Sequence, residues 1–349
     1  MKLISFLAVL FFACQPKQKP AVVLAEEETA TVDLYSIGEM KLSSYQFFAG
    51  DLKELRPAEN VYPYSLNSAL FSDYAYKKRF VKVPKGAKIK YNATDVLDFP
   101  EGTILVKNFY YPSDFRKPES EKRILETRLL ILEKGVWKAL PYIWNKAQTE
   151  AYLEVAGENI DVKWIHTDGE IRQVNYTVPN INQCKGCHLR GEKIFPIGPS
   201  ARQLNNSTKN IVVEWAHENI LEGLPPLHQI PRLASYENAS EPIDKRARAW
   251  LEINCAHCHR KDGPAKTSGL HLLADVEEST VLGIGKSPIA AGKGSGGRLY
   301  GIVPGKPDES ILQYRIESLH PGIMMPELGR KLVHEEGVEL VRRWIVEMK

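Results

Sequence analysis

The chain has 349 residues, 43% apolar and 26% charged, and 46 Lys plus Arg against 43 Asp plus Glu leave a formal net charge of +3. This is ordinary globular composition with length for about two domains. So small a charge, with no basic stripe and no interleaved aromatic residues, gives no electrostatic case for nucleic acid as a partner. Beyond the first 13 residues no apolar run approaches the roughly 20 needed to span a bilayer.

Lys2 is followed by an apolar or small run from Leu3 to Ala13 and then by Cys14. The pattern predicts an export signal over residues 1–13. A cysteine directly after Ala13 resembles the bacterial lipobox, in which that cysteine becomes the lipid-modified first residue, although Phe11 stands where Leu is usual. A signal cleaved without lipidation and an uncleaved anchor are the alternatives, and the apolar run is short for a span. Gln15 follows, not the Asp of the enteric inner-membrane retention rule. The expectation is therefore an exported protein, periplasmic or anchored through Cys14 in the outer membrane, with a surface-facing position as the alternative. Residues 14–33 are rich in Pro, Lys, Glu and Thr without periodicity and read as a flexible tether.

From Leu34 to Asn180 short runs such as Arg79–Val83, Gly102–Lys107, Thr127–Leu132 and Asp161–Ile165 are bounded by Pro, Gly and Asp. They predict a β-rich domain over 34–180. It contains no triad, metal cluster or nucleotide loop.

Four of the five cysteines fall in two identical patterns, Cys184-Lys185-Gly186-Cys187-His188 and Cys255-Ala256-His257-Cys258-His259. CxxCH is the attachment signature of c-type haem. Two thiols three positions apart form thioethers with the two vinyl groups of one porphyrin, and the adjacent histidine becomes the proximal iron ligand. With 5 Cys and 9 His in 349 residues, a single chance CxxCH is expected in roughly 2 of 1000 such chains. Zinc ribbons place their knuckles about 15 to 20 residues apart, whereas 67 residues separate Cys187 from Cys255. Neither zinc nor disulfides explain a histidine after both second cysteines. The expected cofactors are two covalently bound haem c groups, with His188 and His259 as proximal ligands.

No helical pattern leads into Cys184, because Tyr176-Thr177-Val178 is β-like and Pro179 breaks it. The first attachment segment, 181–243, is therefore not a second copy of a small cytochrome fold. A helix is predicted within Thr208–Leu221, with Ile211, Val212, Trp215 and Ile220 at helical spacing. No Met is nearby, so the sixth ligand of this first haem is left open among His166, His217, His228, a lysine and a vacant position. His257 reads as a neighbour of the irons and not as a ligand.

Over 244–349 the sequence predicts a helix from Asp244, acting as cap, into Cys255. A second helix opens at Pro307-Asp308-Glu309-Ser310, and a third runs from His334 to Met348 with Val338, Val341, Trp344 and Ile345 on one stripe. Helix, CxxCH, helix, methionine loop and C-terminal helix is the order of a class I cytochrome c. In the loop Gly322-Ile323-Met324-Met325-Pro326-Glu327-Leu328-Gly329, the likeness to Met-Pro-x-Leu-Gly loops points to Met325 as sixth ligand of the second haem. Met324, His271 and His320 are the alternatives. The Gly-rich run 283–305 lacks the spacing of a phosphate loop and reads as a loop over the haem edge.

Through Leu70-Phe71-Ser72-Asp73-Tyr74-Ala75, Phe99-Pro100-Glu101-Gly102-Thr103, Glu126-Thr127-Arg128-Leu129-Leu130, the second CxxCH and Met325-Pro326-Glu327-Leu328-Gly329, the chain resembles a family of di-haem c-type cytochromes of Gram-negative bacteria, exported or lipid-anchored and mostly without an assigned role. The resemblance covers nearly the whole mature chain. The predicted elements make an α+β multidomain protein, β-rich first and then mainly α and cytochrome c-like, and the resemblance implies a two-haem protein. It also implies electron transfer with redox partner proteins, often with a β-helix protein encoded alongside, and it supplies no substrate. The readings from other classes are a di-haem peroxidase with an open first haem and a tethered module whose haems are structural. The β-rich half and the 71-residue step from His188 to His259 do not resemble those peroxidases.

Overall fold

The computed structural model describes residues 37–207 and 209–349. The export signal, Cys14, the tether and the start at Leu34 lie outside the described residues. From Gly38 to Lys349 the chain gathers into one compact unit. It is a mixed α+β fold, β-rich over about 60–230 and more helical over about 180–347.

The strands are β1 (Val61–Tyr64), β2 (Tyr76–Lys82), β3 (Ile89–Lys90), β4 (Ile104–Pro112), β5 (Lys122–Glu133), β6 (Val136–Trp144), β7 (Ala151–Leu153), β8 (Glu158–Ile165), β9 (Ile171–Val178), β10 (Leu189–Arg190), β11 (Lys193–Ile194) and β12 (Leu221–Glu222). Six of them form an antiparallel sheet in the order β1-β2-β4-β5-β6-β7. Its longest hairpin closes through Lys134 and Gly135 at φ of 53° and 71°, the positive values that a two-residue turn between twisted strands requires. The Glu101 carboxylate holds that turn by accepting from the amides of Lys134 and Gly135.

Register fixes which side chains share a face. Val81 opposes Leu105 and Leu105 opposes Leu130. Val81 and Leu105 enter a core with Trp137, Ile211, Val212 and Trp215, against which Leu130 packs. Two residues along each strand, the same face carries Arg79, Lys107 and Arg128. The β8–β9 hairpin packs Val162, Trp164, Val174 and Tyr176 on Phe109, Tyr111 and Leu125.

The helices are α1 (Ile181–His188), α2 (Ala201–Leu204), α3 (Ile211–His217), α4 (Ile243–Leu251), α5 (Ile311–Glu317) and α6 (Glu335–Glu347). Trp250 and Leu251 of α4, Ile316 of α5 and Val341, Trp344 and Ile345 of α6 build the C-terminal core. Asp244 is not the cap of α4. Pro242 holds that position, and the Asp244 carboxylate in the first turn accepts the indole N–H of Trp344 at 2.9 Å. The absence of a helical pattern before Cys184 also has a local reason. The helix starts only at Ile181, where Asn180 and Gln183 form a reciprocal capping box, and the motif itself makes up its remainder.

Candidate functional site

Two short segments far apart in sequence meet here. The thiol of Cys258 lies 3.4 Å from the carbonyl oxygen of Gly186, so the second CxxCH rests on the backbone of the first. Past the motifs the chains are tied again, with Gly191 N–H donating to Asp262 O at 2.9 Å. Arg190 donates to Asp262 at 3.0 Å and to both oxygens of Asp95 at 2.9 and 2.7 Å. Arg260 donates to the other Asp262 oxygen at 2.6 Å. Asp95 comes from the β-rich half, so this network binds both motifs to the sheet-bearing region.

Both terminal histidines are held in the same tautomer. His188 Nδ1 lies 2.7 Å from the carbonyl of Phe195, which can only accept, so Nδ1 carries the proton. His259 Nδ1 lies 3.0 Å from Ser268 Oγ. That hydroxyl donates its single proton to Ala265 O at 2.7 Å, and therefore accepts from His259. In each ring the Nε2 lone pair is left available, as a metal-ligating imidazole needs. Burial holds both histidines down to about 4, so they are neutral near pH 7. Burial pushes the Cys255 and Cys258 thiols up to about 12.

A cavity of about 310 Å³ opens beside the first motif, and Cys184, Cys187 and His188 line it. Met325 and Leu328 of the methionine loop form another part of its wall, and Arg79, Lys107 and Arg128 a third. The methionine loop is held from the N-terminal half. Asp73 Oδ1 accepts the amides of Lys331 and Leu332 at 2.7 and 2.8 Å, and the Tyr111 hydroxyl donates to the Asp73 carbonyl. Asp73 and Tyr74 sit at φ of 51° and 63°, two adjacent left-handed residues, and the Tyr74 hydroxyl is held by Glu336 Oε2 at 3.0 Å and the Glu335 amide at 3.2 Å.

The sequence candidates are distributed unevenly around the cavity. Met325 lines it, whereas Met324 is buried and is not part of its wall. His166 is buried in the hairpin core, its Nδ1 accepting from Trp164 at 3.2 Å, and His217 and His228 are exposed; none of the three lines the cavity. His320 is exposed and accepts from Gly322 N–H at 3.0 Å. His257 is buried on the cavity wall, its Nδ1 without a hydrogen-bond partner. His334, which no motif marks, also lines it, stacks on Phe71 at 4.3 Å and accepts the Trp250 indole N–H at 2.8 Å.

Sequence reasoning missed Phe195, Ser268, Asp73, Asp95, Asp262 and the basic row. Among the described residues no three His, Cys, Asp or Glu side chains gather to hold a metal ion by themselves. A porphyrin iron takes one or two ligands from protein, and a single well-oriented histidine per motif meets that need. No helix among the described residues is long and apolar enough to cross a membrane. No family model, curated protein or solved structure matches the chain.

Proposed function

We propose that this chain is a two-haem electron-transfer protein of the bacterial cell envelope, with haem attached at Cys184/Cys187 and at Cys255/Cys258. The observation that carries the reading is the pair of CxxCH motifs in contact through Cys258 and Gly186, each ending in a neutral histidine with Nε2 unprotonated. When bound, each haem supplies a one-electron iron couple.

The protein's own part is positioning. His188 and His259 are oriented by Phe195 and Ser268, and these bonds raise the basicity of each ring. The Arg190–Asp262–Arg260 network holds the two attachment points in register. Helices α4, α5 and α6 form the cytochrome c-like part of the chain, and Met325 in the loop between α5 and α6 would supply a thioether ligand to the second haem. A soft thioether raises the potential relative to a second histidine. Export and anchoring through Cys14 belong to this reading, with redox proteins as partners.

The test is spectroscopy of the matured protein in both redox states, with and without CO. Reversible reduction of two haems, a thioether-type charge-transfer band in the oxidised protein and no CO binding support electron transfer. Rapid CO binding at the first haem together with turnover of hydrogen peroxide would favour the peroxidase reading instead.

A further inference from the structure

Arg79, Lys107 and Arg128 stand directly opposite one another on β2, β4 and β5. Like charges in cross-strand register destabilise a sheet, and this row lies on the wall of the cavity and not on a solvated face. One of the three is compensated. Arg128 donates through Nε and Nη2 to both oxygens of the fully buried Glu126, which also accepts the Tyr176 hydroxyl at 2.6 Å.

The other two are not. Among the described residues neither Arg79 nor Lys107 has a carboxylate within ion-pair distance, and the Lys107 ammonium stands 4.7 Å over the Phe109 ring. The remaining buried carboxylate of the wall, Asp73, is committed to the amides of Lys331 and Leu332. Burial together with Arg79 and Arg128 pushes the Lys107 ammonium well below the usual lysine range. Two buried cations facing a cavity with no carboxylate in ion-pair contact are costly, and an anion at that wall lowers the cost.

Across the sheet Arg79 stands two strand spacings, about 10 Å, from Arg128, with Lys107 between them.

We infer that Arg79 and Lys107 bind the two propionate carboxylates of the haem attached at Cys184 and Cys187, two cations on the wall of the cavity that those cysteines line for two anions. The inference rests on the two-haem reading and adds the residues that orient the first haem. Buried positive charge beside the propionates favours the reduced iron, which carries one positive charge fewer.

The test uses the matured full-length protein carrying Arg79→Gln or Lys107→Gln, the charge-keeping Arg79→Lys, and Lys85→Gln, whose side chain is 87% exposed. The two haems are resolved by potentiometry followed with EPR. In each of the two cavity Gln variants we expect the first-haem reduction equilibrium to fall at least about tenfold, about 59 mV for one electron. A pH-dependent step should also enter between about pH 5 and about pH 8 as a propionate loses its cation. The second haem, Arg79→Lys and Lys85→Gln should keep wild-type values.

An unchanged first-haem potential and pH profile in both cavity Gln variants, with both haems attached, overturns the inference. Where those variants do not accumulate, the wild-type titration decides. A first-haem potential flat over that range supports the paired propionates, and a step within it contradicts them. Wild-type protein without haem at Cys184 and Cys187 would instead overturn the underlying reading.

Discussion

Arg190 and Asp262 follow the two CxxCH motifs at nearly matching positions, two residues after His188 and three after His259, and they are joined by a 3.0 Å side-chain bond and, next to it, by Gly191 N–H on Asp262 O at 2.9 Å. On the proposed two-haem reading, electron transfer between the two attachment points would depend on how closely they are held. Asp262→Ala removes the carboxylate shared by Arg190 and Arg260 but leaves Arg190 on Asp95. We expect both haems to attach and inter-haem electron transfer to slow, measured by flash photolysis of the half-reduced protein. A rate equal to wild type would show that the network does not set the spacing.

The hydroxyl of Ser268 accepts the Nδ1 proton of His259. Ser268→Ala removes that acceptor, lowers the basicity of the proximal ring and so raises the second-haem potential, because a weaker donor stabilises the oxidised iron less. The first haem, whose His188 bonds to Phe195, should not move. Redox potentiometry of the variant checks both statements.

Gly337 lies in the first turn of α6, where an added methyl group would overlap the Trp250 indole and the His334 ring. Ala exceeds Gly in helix propensity by about 1 kcal/mol, but overpacking of a closed core costs about 1 to 3 kcal/mol, and here it also displaces the Trp250–His334 bond. Gly337→Ala should therefore lower the unfolding free energy in urea. An increase would mean that α6 moves freely against α4.

His334 gives a pH dependence. Its Nδ1 accepts from Trp250 and must be unprotonated, and burial lowers it from 6.5 to about 3. The unfolded chain takes up that proton first as pH falls, so the contribution is complete above about 6.5 and is lost progressively towards about 3. At about pH 5 the loss amounts to up to about 2 kcal/mol from this residue. His334→Asn keeps an acceptor without the titration. The difference in urea midpoint between about pH 7 and about pH 5 should shrink in the variant.

Asp73→Ala leaves the amides of Lys331 and Leu332 without their acceptor, at a cost of about 2 kcal/mol. Because those amides end the methionine loop, the loss should weaken the thioether charge-transfer band as well as stability. Asp73→Asn, which retains an acceptor oxygen, should preserve most of both.

The sequence carried the site better than it carried the surroundings. CxxCH is a local pattern whose chemistry requires adjacency, so Cys184 to His188 and Cys255 to His259 are legible without the fold. The strands around Arg79, Ile104, Thr127 and Asp161 and the C-terminal stripe on α6 follow from periodicity. What periodicity could not show is register. The alignment of Arg79, Lys107 and Arg128 depends on pairings between residues more than 20 positions apart in sequence. Likewise Phe195, Ser268 and Asp73 act through a few carbonyl, hydroxyl and carboxylate contacts that carry no composition signal. The cap of α4 was misread because Asp244 is a good capping residue, yet in this fold Trp344 engages its carboxylate.

The central claim is that each motif holds one haem. It is tested most directly by mass spectrometry and pyridine haemochrome analysis of the chain matured in a host with c-type haem attachment machinery. The account predicts two haems per wild-type chain, one in a Cys184→Ala/Cys187→Ala variant, one in a Cys255→Ala/Cys258→Ala variant and none when all four cysteines are replaced. A wild-type chain that emerges with its four motif thiols unmodified and no covalent haem would contradict it.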